Sequence, residues 1–249
     1  MEFFVEGHRG FCAEYPENSL ISYSAAMDLG VDAIEFDVWL SKDGIPVLSH
    51  DANLYRVAGV DCDVREMTLE QIKQIDIGSR RYGAEFSGAR VPTLREFLEL
   101  VKSKCPNLLL GVEIKQYTEK TVDLTIGMLK EYGMFEKCWF YAFNARIIKY
   151  IKQCYHGRTM GYPDFQMQEF EPDSYLYYDE LGLSLSLVRS ELFEFYQKKG
   201  FPLHMFCADT EEDVRMCVEK GAFLITANHP VAALKVKNEE STGNIIRTF

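Results

Sequence analysis

Charged side chains occur at alternating positions in two short runs that are otherwise apolar. In the first run Glu35 and Asp37 alternate with apolar neighbours, and in the second Glu113 and Lys115 do the same. Because successive side chains of a β-strand point to opposite faces, each pair should share one face, with its members about 7 Å apart. Charge on a buried strand face is costly unless it is paired or binds a metal. These four residues therefore predict a functional site.

Three carboxylates on one side of a sheet cannot all stay ionised without a counter-charge. Hard oxygen ligands suit Mg²⁺ or Ca²⁺, so the sequence predicts a divalent cation held by Glu35, Asp37 and Glu113. Both ions fit this ligand set. The alternative is a buried ion-pair network in which Lys115 and Arg9 supply the counter-charge.

Two histidines are predicted to reach the same place. His8 follows the first apolar run of the chain, and His50 ends a segment that comes soon after a Ser-Lys-Asp-Gly turn. Four residues are too few for a parallel crossover, so this segment must return antiparallel. If Ser41 faces Gly44 across the turn, His50 lies opposite Glu35.

Two imidazoles beside a cation, with Arg9 and Lys115 nearby, form an acid/base site for an anion, and a phosphate is the best candidate. One imidazole takes a proton from the attacking oxygen, and the other delivers one to the leaving alkoxide. Either histidine fits either role. The metal and the cationic side chains stabilise charge on the phosphoryl oxygens, which describes phosphodiester cleavage. The sequence contains no Gly-rich phosphate loop, Gly-x-Ser-x-Gly motif or cysteine-based zinc pattern that would indicate another chemistry.

The elements that must position these side chains are short β-rich runs alternating with helical patterns, which is typical of a parallel sheet with helical crossovers. The third predicted strand is the antiparallel return, so eight parallel strands remain, the number that closes a (β/α)8 TIM barrel. The charged residues then lie near the C-terminal strand ends, where barrel active sites are built. An open doubly wound sheet is the alternative architecture. The predicted strands are 3–7, 33–40, 45–50, 108–115, 138–143, 159–162, 183–187, 202–207 and 223–226.

The 249 residues are predicted to fold as a single domain, residues 1–249, since α/β barrels of this length are common and 47% of the residues are apolar. Residues 52–90 interrupt the alternation with polar sequence and are too long for an ordinary loop. We expect them to form a small insertion over the C-terminal face of the barrel. Residues 237–249 form a polar tail that we expect to be loosely held.

Charge and hydropathy exclude several classes of partner. With 27 basic and 38 acidic residues, the formal net charge of −11 argues against nucleic-acid binding. No apolar run approaches the roughly 18 residues of a membrane helix, and the start of the chain lacks a basic region followed by an apolar stretch. We therefore expect a cytoplasmic protein without stable membrane insertion. The seven cysteines are odd in number and widely spaced, so we expect reduced thiols.

A set of motifs in the first half of the chain resembles the glycerophosphodiester phosphodiesterase family, and the ordered set is far more specific than any single member. The resemblance implies a (β/α)8 barrel, a divalent metal, and hydrolysis of small glycerophosphodiesters to glycerol 3-phosphate plus an alcohol such as choline or ethanolamine. The matching segments are His8-Arg9-Gly10, Glu17-Asn18-Ser19, Ile34-Glu35-Phe36-Asp37-Val38, Lys42-Asp43-Gly44, Pro46-Val47-Leu48-Ser49-His50-Asp51, Val91-Pro92-Thr93-Leu94 and Glu113-Ile114-Lys115.

The resemblance also implies residue roles that agree with the interpretation of the strands. Related barrels cleave phosphodiesters through attack by a neighbouring substrate hydroxyl, giving a cyclic phosphate, and direct attack by water is the alternative. The implied roles are metal binding by Glu35, Asp37 and Glu113, acid/base catalysis by His8 and His50, and phosphate contacts by Arg9 and Lys115.

The second half of the chain departs from the family pattern at positions that shape the pocket. Where the family commonly has Trp-Thr-Val-Asn, this chain has Phe206-Cys207-Ala208-Asp209, which keeps an aromatic ring without an indole donor. Thr226-Ala227-Asn228-His229-Pro230 resembles the family's Thr-Asp/Asn-x-Pro ending with one residue inserted, and Ala142-Phe143-Asn144 stands where Ser-Phe is usual. We predict that Phe143 and Phe206 face the glycerol or alcohol moiety, and core packing is an equal alternative.

Two other functions are alternatives. The first is a lysophospholipase D or a phospholipase C-like lipid phosphodiesterase, although the sequence has no basic amphipathic helix and a net charge of −11. The second is a non-catalytic barrel that binds phosphorylated metabolites. A degenerate relative of that kind should have lost a histidine or a metal ligand, and this chain keeps all of them.

Overall fold

Strands alternate with helices along the chain in the computed structural model, which describes residues 3–246, with side chains as far as residue 241. The sheet order is β1-β9-β8-β7-β6-β5-β4-β2-β3, and pairing of β1 with β2 closes a ring of eight parallel strands. Strand β3 lies outside the ring and pairs antiparallel with β2. The nine strands of the described residues are β1 (Phe4–Gly7), β2 (Ala33–Leu40), β3 (Pro46–Leu48), β4 (Leu109–Ile114), β5 (Cys138–Tyr141), β6 (Arg158–Gly161), β7 (Glu180–Ser184), β8 (Leu203–Phe206) and β9 (Ala222–Ala227).

Helices connect the strands, and several of them begin at a residue whose side chain caps the first turn. Thr93 and Glu96 form a capping box at the start of α5, and the Ser19 side chain accepts a hydrogen bond at the start of α1. The helices of the described residues are α1 (Leu20–Leu29), α2 (Tyr55–Ala58), α3 (Leu69–Ile72), α4 (Ser79–Tyr82), α5 (Leu94–Lys104), α6 (Glu119–Glu131), α7 (Ala145–Tyr155), α8 (Leu185–Val188), α9 (Phe193–Gln197), α10 (Glu211–Glu219) and α11 (Val231–Ile246).

The closed ring is a (β/α)8 TIM barrel, so the predicted fold class is confirmed and the open sheet is excluded. The alternation in β2 has the predicted consequence: Ile34 and Phe36 are fully buried between the barrel and the helices, where Phe36 contacts Phe97 of α5 with ring centroids 4.8 Å apart. Glu35 and Asp37 point to the opposite side, into the barrel. The apolar face of β2 therefore packs against the helices, and its charged face lines the barrel interior.

One strand prediction was displaced. The seventh parallel strand was expected at 183–187, but β7 runs from Glu180 to Ser184, and the residues from Leu185 onward form α8. The strand begins at Glu180, a charged residue outside the predicted range. Its side chain is 1% exposed in the barrel and lies 2.6 Å from His204 Nε2, so a charged residue begins the strand.

The insertion at 52–90 is confirmed as a separate substructure beside the barrel. Its helices α2 to α4 pack on a second apolar core that is distinct from the core of the barrel. This second core includes Leu54, Val64 and Ile72. A hydrogen bond from the Tyr82 hydroxyl to the carbonyl of Cys12 ties it to the loop after β1. Because that loop leaves the carboxyl end of β1, the insertion lies at the C-terminal face.

In the segment predicted to be a loosely held tail, residues 237–249, α11 continues as far as Ile246, and loose attachment of the segment stays a prediction. The Lys237 ammonium lies 2.6 Å from an Asp32 carboxylate oxygen, and Glu239 pairs with Arg215, so the polar residues anchor the helix to its neighbours. Residues 247–249 lie outside the described residues. Within the described part of the chain, no helix is long and apolar enough to cross a membrane.

Candidate active site

Three buried carboxylates meet inside the barrel near its C-terminal face. Asp37 and Glu113 are direct partners across the β2–β4 pair, and Glu35 lies one inward position earlier on β2. One ligand oxygen from each of the three lies within 4.8 Å of the others. The residues are 3%, 0% and 6% exposed for Glu35, Asp37 and Glu113 respectively. The sequence prediction that these side chains converge agrees with this geometry.

The oxygens of this carboxylate cluster fit a cation ligand set. Glu35 Oε2 accepts a hydrogen bond of 3.0 Å from the Arg9 backbone N–H, but Glu35 Oε1 is buried and accepts none from the described residues. Asp37 Oδ1 also lacks a hydrogen bond there, although Lys115 Nζ lies 3.2 Å away. Buried oxygens without donors are rare because each one costs desolvation energy. A hard divalent cation would satisfy them.

Lys115 and Arg9 both contact the carboxylates, as the ion-pair alternative required. Lys115 Nζ lies 2.7 Å from Glu113 Oε1, and Arg9 Nε lies 3.3 Å from Asp37 Oδ2. Two cations still face three carboxylates, and Arg9 is shared with a fourth, because its Nη1 donates to Glu17 Oε1 over 3.0 Å. The ion pairs therefore leave part of the negative charge of the cluster without a counter-charge.

Burial and mutual repulsion dominate the ionisation of the cluster. Burial, together with the charges of Asp37 and Glu113, raises the pKa of Glu35 well above its usual value. Burial also raises the pKa of Glu113, although Lys115 opposes this shift. For Asp37 burial acts in the same direction, but Lys115 and Arg9 outweigh it and hold its pKa below its usual range.

Asn18 orients Asp37 from the loop before α1. Its Nδ2 donates to Asp37 Oδ2 over 2.7 Å, and its Oδ1 accepts from the Tyr23 hydroxyl over 2.7 Å. The loop also needs Gly10, because a Cβ there would collide with Ser22 of α1 and the backbone has a φ of +87°. From sequence, Asn18 could be identified only as a residue of the family-like segment Glu17-Asn18-Ser19; the residue that caps α1 is Ser19.

His8 lies beside the carboxylate cluster. Its Nε2 is 3.9 Å from Glu35 Oε2, and its Nδ1 is 2.7 Å from Asn228 Oδ1. Burial, reinforced by the charge of Arg9, lowers the pKa of His8 to about 4. The imidazole is therefore neutral at pH 7.

His50 follows β3 rather than pairing within it. The predicted register was off by one, because Leu40 faces Pro46, and β3 ends at Leu48, so His50 has no partner opposite Glu35. The ring is held by Asp51, whose Oδ1 lies 2.7 Å from His50 Nδ1. It still lies near the site, close enough that a positive charge on its ring would favour ionisation of both Asp37 and Glu113.

Three arginines contact the Glu17 carboxylate at the mouth of the site. Arg9 comes from the loop after β1, whereas Arg56 and Arg81 come from the insertion, and each donates to the Glu17 carboxylate. Burial opposes ionisation of Glu17, but Arg56 and Arg9 outweigh it and lower its pKa to about 2. No sequence pattern indicates Arg56 or Arg81, because their contact with Glu17 depends on where the insertion lies.

Phe143 and Phe206 form an aromatic group with Tyr162, which the sequence did not identify. Tyr162 is stacked on Phe143 with ring centroids 3.7 Å apart, and Phe206 meets Tyr162 edge-on at 5.8 Å. Tyr162 is buried, whereas the other two rings are only partly buried. Phe143, just after β5, and Phe206, at the end of β8, thus present apolar surface at the C-terminal face.

A TIM barrel that holds a carboxylate cluster and two histidines at its C-terminal face is typical of a metal-assisted enzyme. The model of the "Glycerophosphoryl diester phosphodiesterase family" matches residues 8–232. The chain belongs to this family, so the resemblance found in the sequence and the assignment as a phosphodiesterase-type enzyme are confirmed.

Individual relatives span nearly the whole chain. A glycerophosphodiester phosphodiesterase from Caldanaerobacter subterraneus is 31% identical over 240 residues, which cover 92% of this chain and 96% of the relative. A lysophospholipase D from Homo sapiens is 22% identical and covers 90% of this chain and 82% of its own. An Oleispira antarctica phosphodiesterase, solved in complex with the product sn-glycerol-3-phosphate, shares the fold with a TM-score of 0.83 and 24% identity, covering 96% of this chain and 97% of its own.

Proposed function

We propose that this protein hydrolyses glycerophosphodiesters to glycerol 3-phosphate and an alcohol with the help of a divalent metal and two histidines. The observation that carries the proposal is the cluster of Glu35, Asp37 and Glu113 with His8 Nε2 only 3.9 Å from Glu35. The Caldanaerobacter relative and the product complex of the Oleispira phosphodiesterase support the substrate class.

The cation would be held by Glu35, Asp37 and Glu113, and their oxygens suit Mg²⁺ and Ca²⁺ alike. When bound, the ion supplies positive charge that stabilises the phosphoryl oxygens in the transition state. Arg9 and Lys115 bring further charge to the same place. Their side chains are 15% and 12% exposed, so each keeps some surface through which it contacts a phosphate.

Proton transfer is assigned to His8 and His50. A neutral imidazole can accept the proton of the attacking oxygen, and an imidazolium can protonate the leaving alkoxide, each transfer contributing about 10²–10⁴-fold. Asp51 holds the ring of His50 in place. The attacking oxygen is either a hydroxyl of the glycerol, giving a cyclic phosphate, or water.

The organic part of the substrate would lie against Phe143 and Phe206. Both rings are partly exposed and are supported from behind by the buried Tyr162. Such a surface suits the carbon skeleton of the glycerol or of the alcohol. The substrate is then a small molecule rather than a macromolecule.

The proposal is tested by enzyme-coupled detection of glycerol 3-phosphate from glycerophosphocholine and glycerophosphoethanolamine, with Mg²⁺, Ca²⁺ or a chelator. We expect product with at least one metal, none with the chelator, and loss in His8→Ala. His156→Asn is the matched control, because His156 ends α7 at the opposite end of the barrel in a left-handed conformation that Asn tolerates.

Further arms of this experiment separate the alternatives. A long-chain lysophospholipid that is turned over faster than both water-soluble diesters would favour a lysophospholipase D. A cyclic phosphate detected before glycerol 3-phosphate would identify attack by the glycerol hydroxyl. Folded protein that binds metal but turns over none of these substrates would overturn the proposal in favour of a non-catalytic binding barrel.

A further inference from the structure

A chain of hydrogen bonds approaches His8 from the side away from the carboxylate cluster. His8 Nδ1 lies 2.7 Å from Oδ1 of Asn228, which follows β9, and Asn228 Nδ2 lies 2.8 Å from Oδ2 of Asp209, which follows β8. We propose that Asn228 and Asp209 are positioning residues that fix the tautomer of His8 with its proton on Nδ1. This inference rests on the proposed function only for its kinetic consequence.

Asp209 determines which way the Asn228 amide points. A carboxylate accepts hydrogen bonds and does not donate them, so the amide atom that faces Asp209 must be the NH₂ group. The same carboxylate accepts the backbone N–H groups of Asn228 at 2.7 Å and His229 at 3.0 Å, which fixes its own position. The amide oxygen of Asn228 then faces His8.

An amide oxygen opposite His8 Nδ1 requires a donor on that nitrogen. The thiol of Cys12 contacts the same oxygen at 3.2 Å, so Asn228 Oδ1 accepts from two sides. With the proton on Nδ1, the neutral ring carries its lone pair on Nε2. That lone pair lies on the side of Glu35, so neutral His8 presents a proton acceptor to the carboxylate cluster.

The alternative is that Asp209 and Asn228 merely join the two loops that follow β8 and β9. In that case substitution would lower stability without changing the His8 ring. The two possibilities differ in a property that can be observed without substrate, namely which ring nitrogen carries the proton.

Long-range ¹H–¹⁵N spectra of protein labelled with ¹⁵N-histidine report this property directly. The sequence has five histidines, so the His8 signals can be assigned by their loss in His8→Gln. We expect the Nδ1–H tautomer in the wild type and a mixture of tautomers in Asn228→Ala. Because no turnover is needed, this result does not depend on whether the proposed reaction is correct.

Kinetics supply the second readout. We expect Asn228→Ala to lower kcat about 10–100-fold while KM changes by less than about threefold, because the substrate contacts remain. Asn228→Asp alone places two carboxylates face to face and should lower kcat as well. Combining it with Asp209→Asn restores one donor and one acceptor in exchanged positions, so kcat should recover to within about tenfold of wild type.

Cys12→Ala is the matched control, since it removes another contact to Asn228 Oδ1 without removing the acceptor. We expect it to keep both the tautomer and kcat. The proposal is overturned if wild-type His8 carries its proton on Nε2. It is also overturned if Asn228→Ala lowers the melting temperature but leaves the tautomer and kcat unchanged, or if the exchanged pair recovers stability without kcat.

Discussion

Two groups of buried polar side chains lie inside the same barrel, and they differ in whether the protein supplies partners for their charges. The carboxylate cluster of Glu35, Asp37 and Glu113 lies toward the C-terminal face. A second group, the amino-terminal cluster, extends into the barrel interior from Arg158 and Glu180, the first residues of β6 and β7. Its members are Glu6, Trp139, Tyr141, Arg158, Glu180, His204 and Thr226.

In the amino-terminal cluster three of the four carboxylate oxygens accept a hydrogen bond, and the fourth, Glu180 Oε2, lies within ion-pair distance of His204 Nε2. The two oxygens of Glu6 accept from the hydroxyls of Tyr141 and Thr226, at 3.0 and 2.7 Å. Glu180 Oε1 accepts from Trp139 Nε1 at 2.9 Å, and its Oε2 lies 2.6 Å from His204 Nε2. These contacts link β1, β5, β7, β8 and β9 across the barrel interior.

The carboxylate cluster is supplied with fewer donors: among the described residues, Glu35 Oε1 is buried without a hydrogen bond, and Asp37 Oδ1 has only the ion-pair contact with Lys115. Buried charge alone therefore does not identify the site in this protein. What distinguishes the site is a deficit of donors, which a cation and a substrate can fill. Four predictions test this distinction, beginning with the largest expected effect.

Glu35→Gln should abolish activity without destabilising the metal-free protein. Loss of a ligand from the cation should lower kcat/KM by about 1,000-fold or more. The raised pKa of Glu35 means that its ionisation opposes folding above the unfolded-state pKa, and the neutral amide avoids this penalty. Activity assays and urea unfolding with chelator present measure the two effects. A variant that is inactive because it has unfolded would contradict the prediction.

Glu180→Leu should have the reverse effect, lowering stability while leaving activity largely unchanged. Removing this carboxylate leaves Trp139 Nε1 and His204 Nε2 without their buried partner, which should lower the free energy of unfolding by about 3 kcal/mol or more. The folded fraction should keep kcat within about threefold, because the amino-terminal cluster holds no substrate. Glu194→Gln is the control. It removes an exposed ion pair with Lys198 at the end of α9 and should change the free energy of unfolding by less than about 0.5 kcal/mol. A large loss of kcat in Glu180→Leu would mean that the two clusters are not separable.

Glu17 is an intermediate case, a buried carboxylate at the C-terminal face whose oxygens are fully supplied with arginine donors. Its pKa of about 2 lies below the usual value of 4.5, so ionised Glu17 stabilises the fold above pH 4.5, and this stability is lost as the pH falls toward 2. Glu17→Gln should therefore cost about 3 kcal/mol at pH 7 and almost nothing near pH 2. Urea unfolding at both pH values measures this. A cost that does not change with pH would show that packing, rather than charge, holds Glu17.

Much of the carboxylate cluster could be predicted from the sequence, because alternation along one strand decides which side chains share a face. Glu35 and Asp37 needed only β2, and Glu113 needed only the neighbouring β4. His50 was expected near the cluster even though its register was wrong by one, since a short antiparallel return brings it back in any register. That residues 1–249 form a single domain stays a prediction.

The remaining contacts depend on how distant segments meet. Asn228 reaches His8 only because β9 closes the ring against β1, and Arg56 reaches Glu17 only because the insertion folds over the face. No local periodicity encodes either contact. The displaced start of β7 has the same origin. Glu180 can begin a buried strand because Trp139 and His204, from other strands, contact its carboxylate.

The smallest effect, thermal stabilisation by metal, compares the clusters most directly. At about ten times its dissociation constant, Mg²⁺ or Ca²⁺ should stabilise the wild type by about 1.4 kcal/mol, or about 3–6 °C in Tm. Glu180→Leu should start from a lower Tm and gain the same increment, because its ligands are intact, whereas Glu35→Gln should gain almost none. Thermal unfolding with metal and with chelator measures both increments. The opposite pattern would place the cation in the amino-terminal cluster, and the deficit of donors at Glu35 would then have another cause.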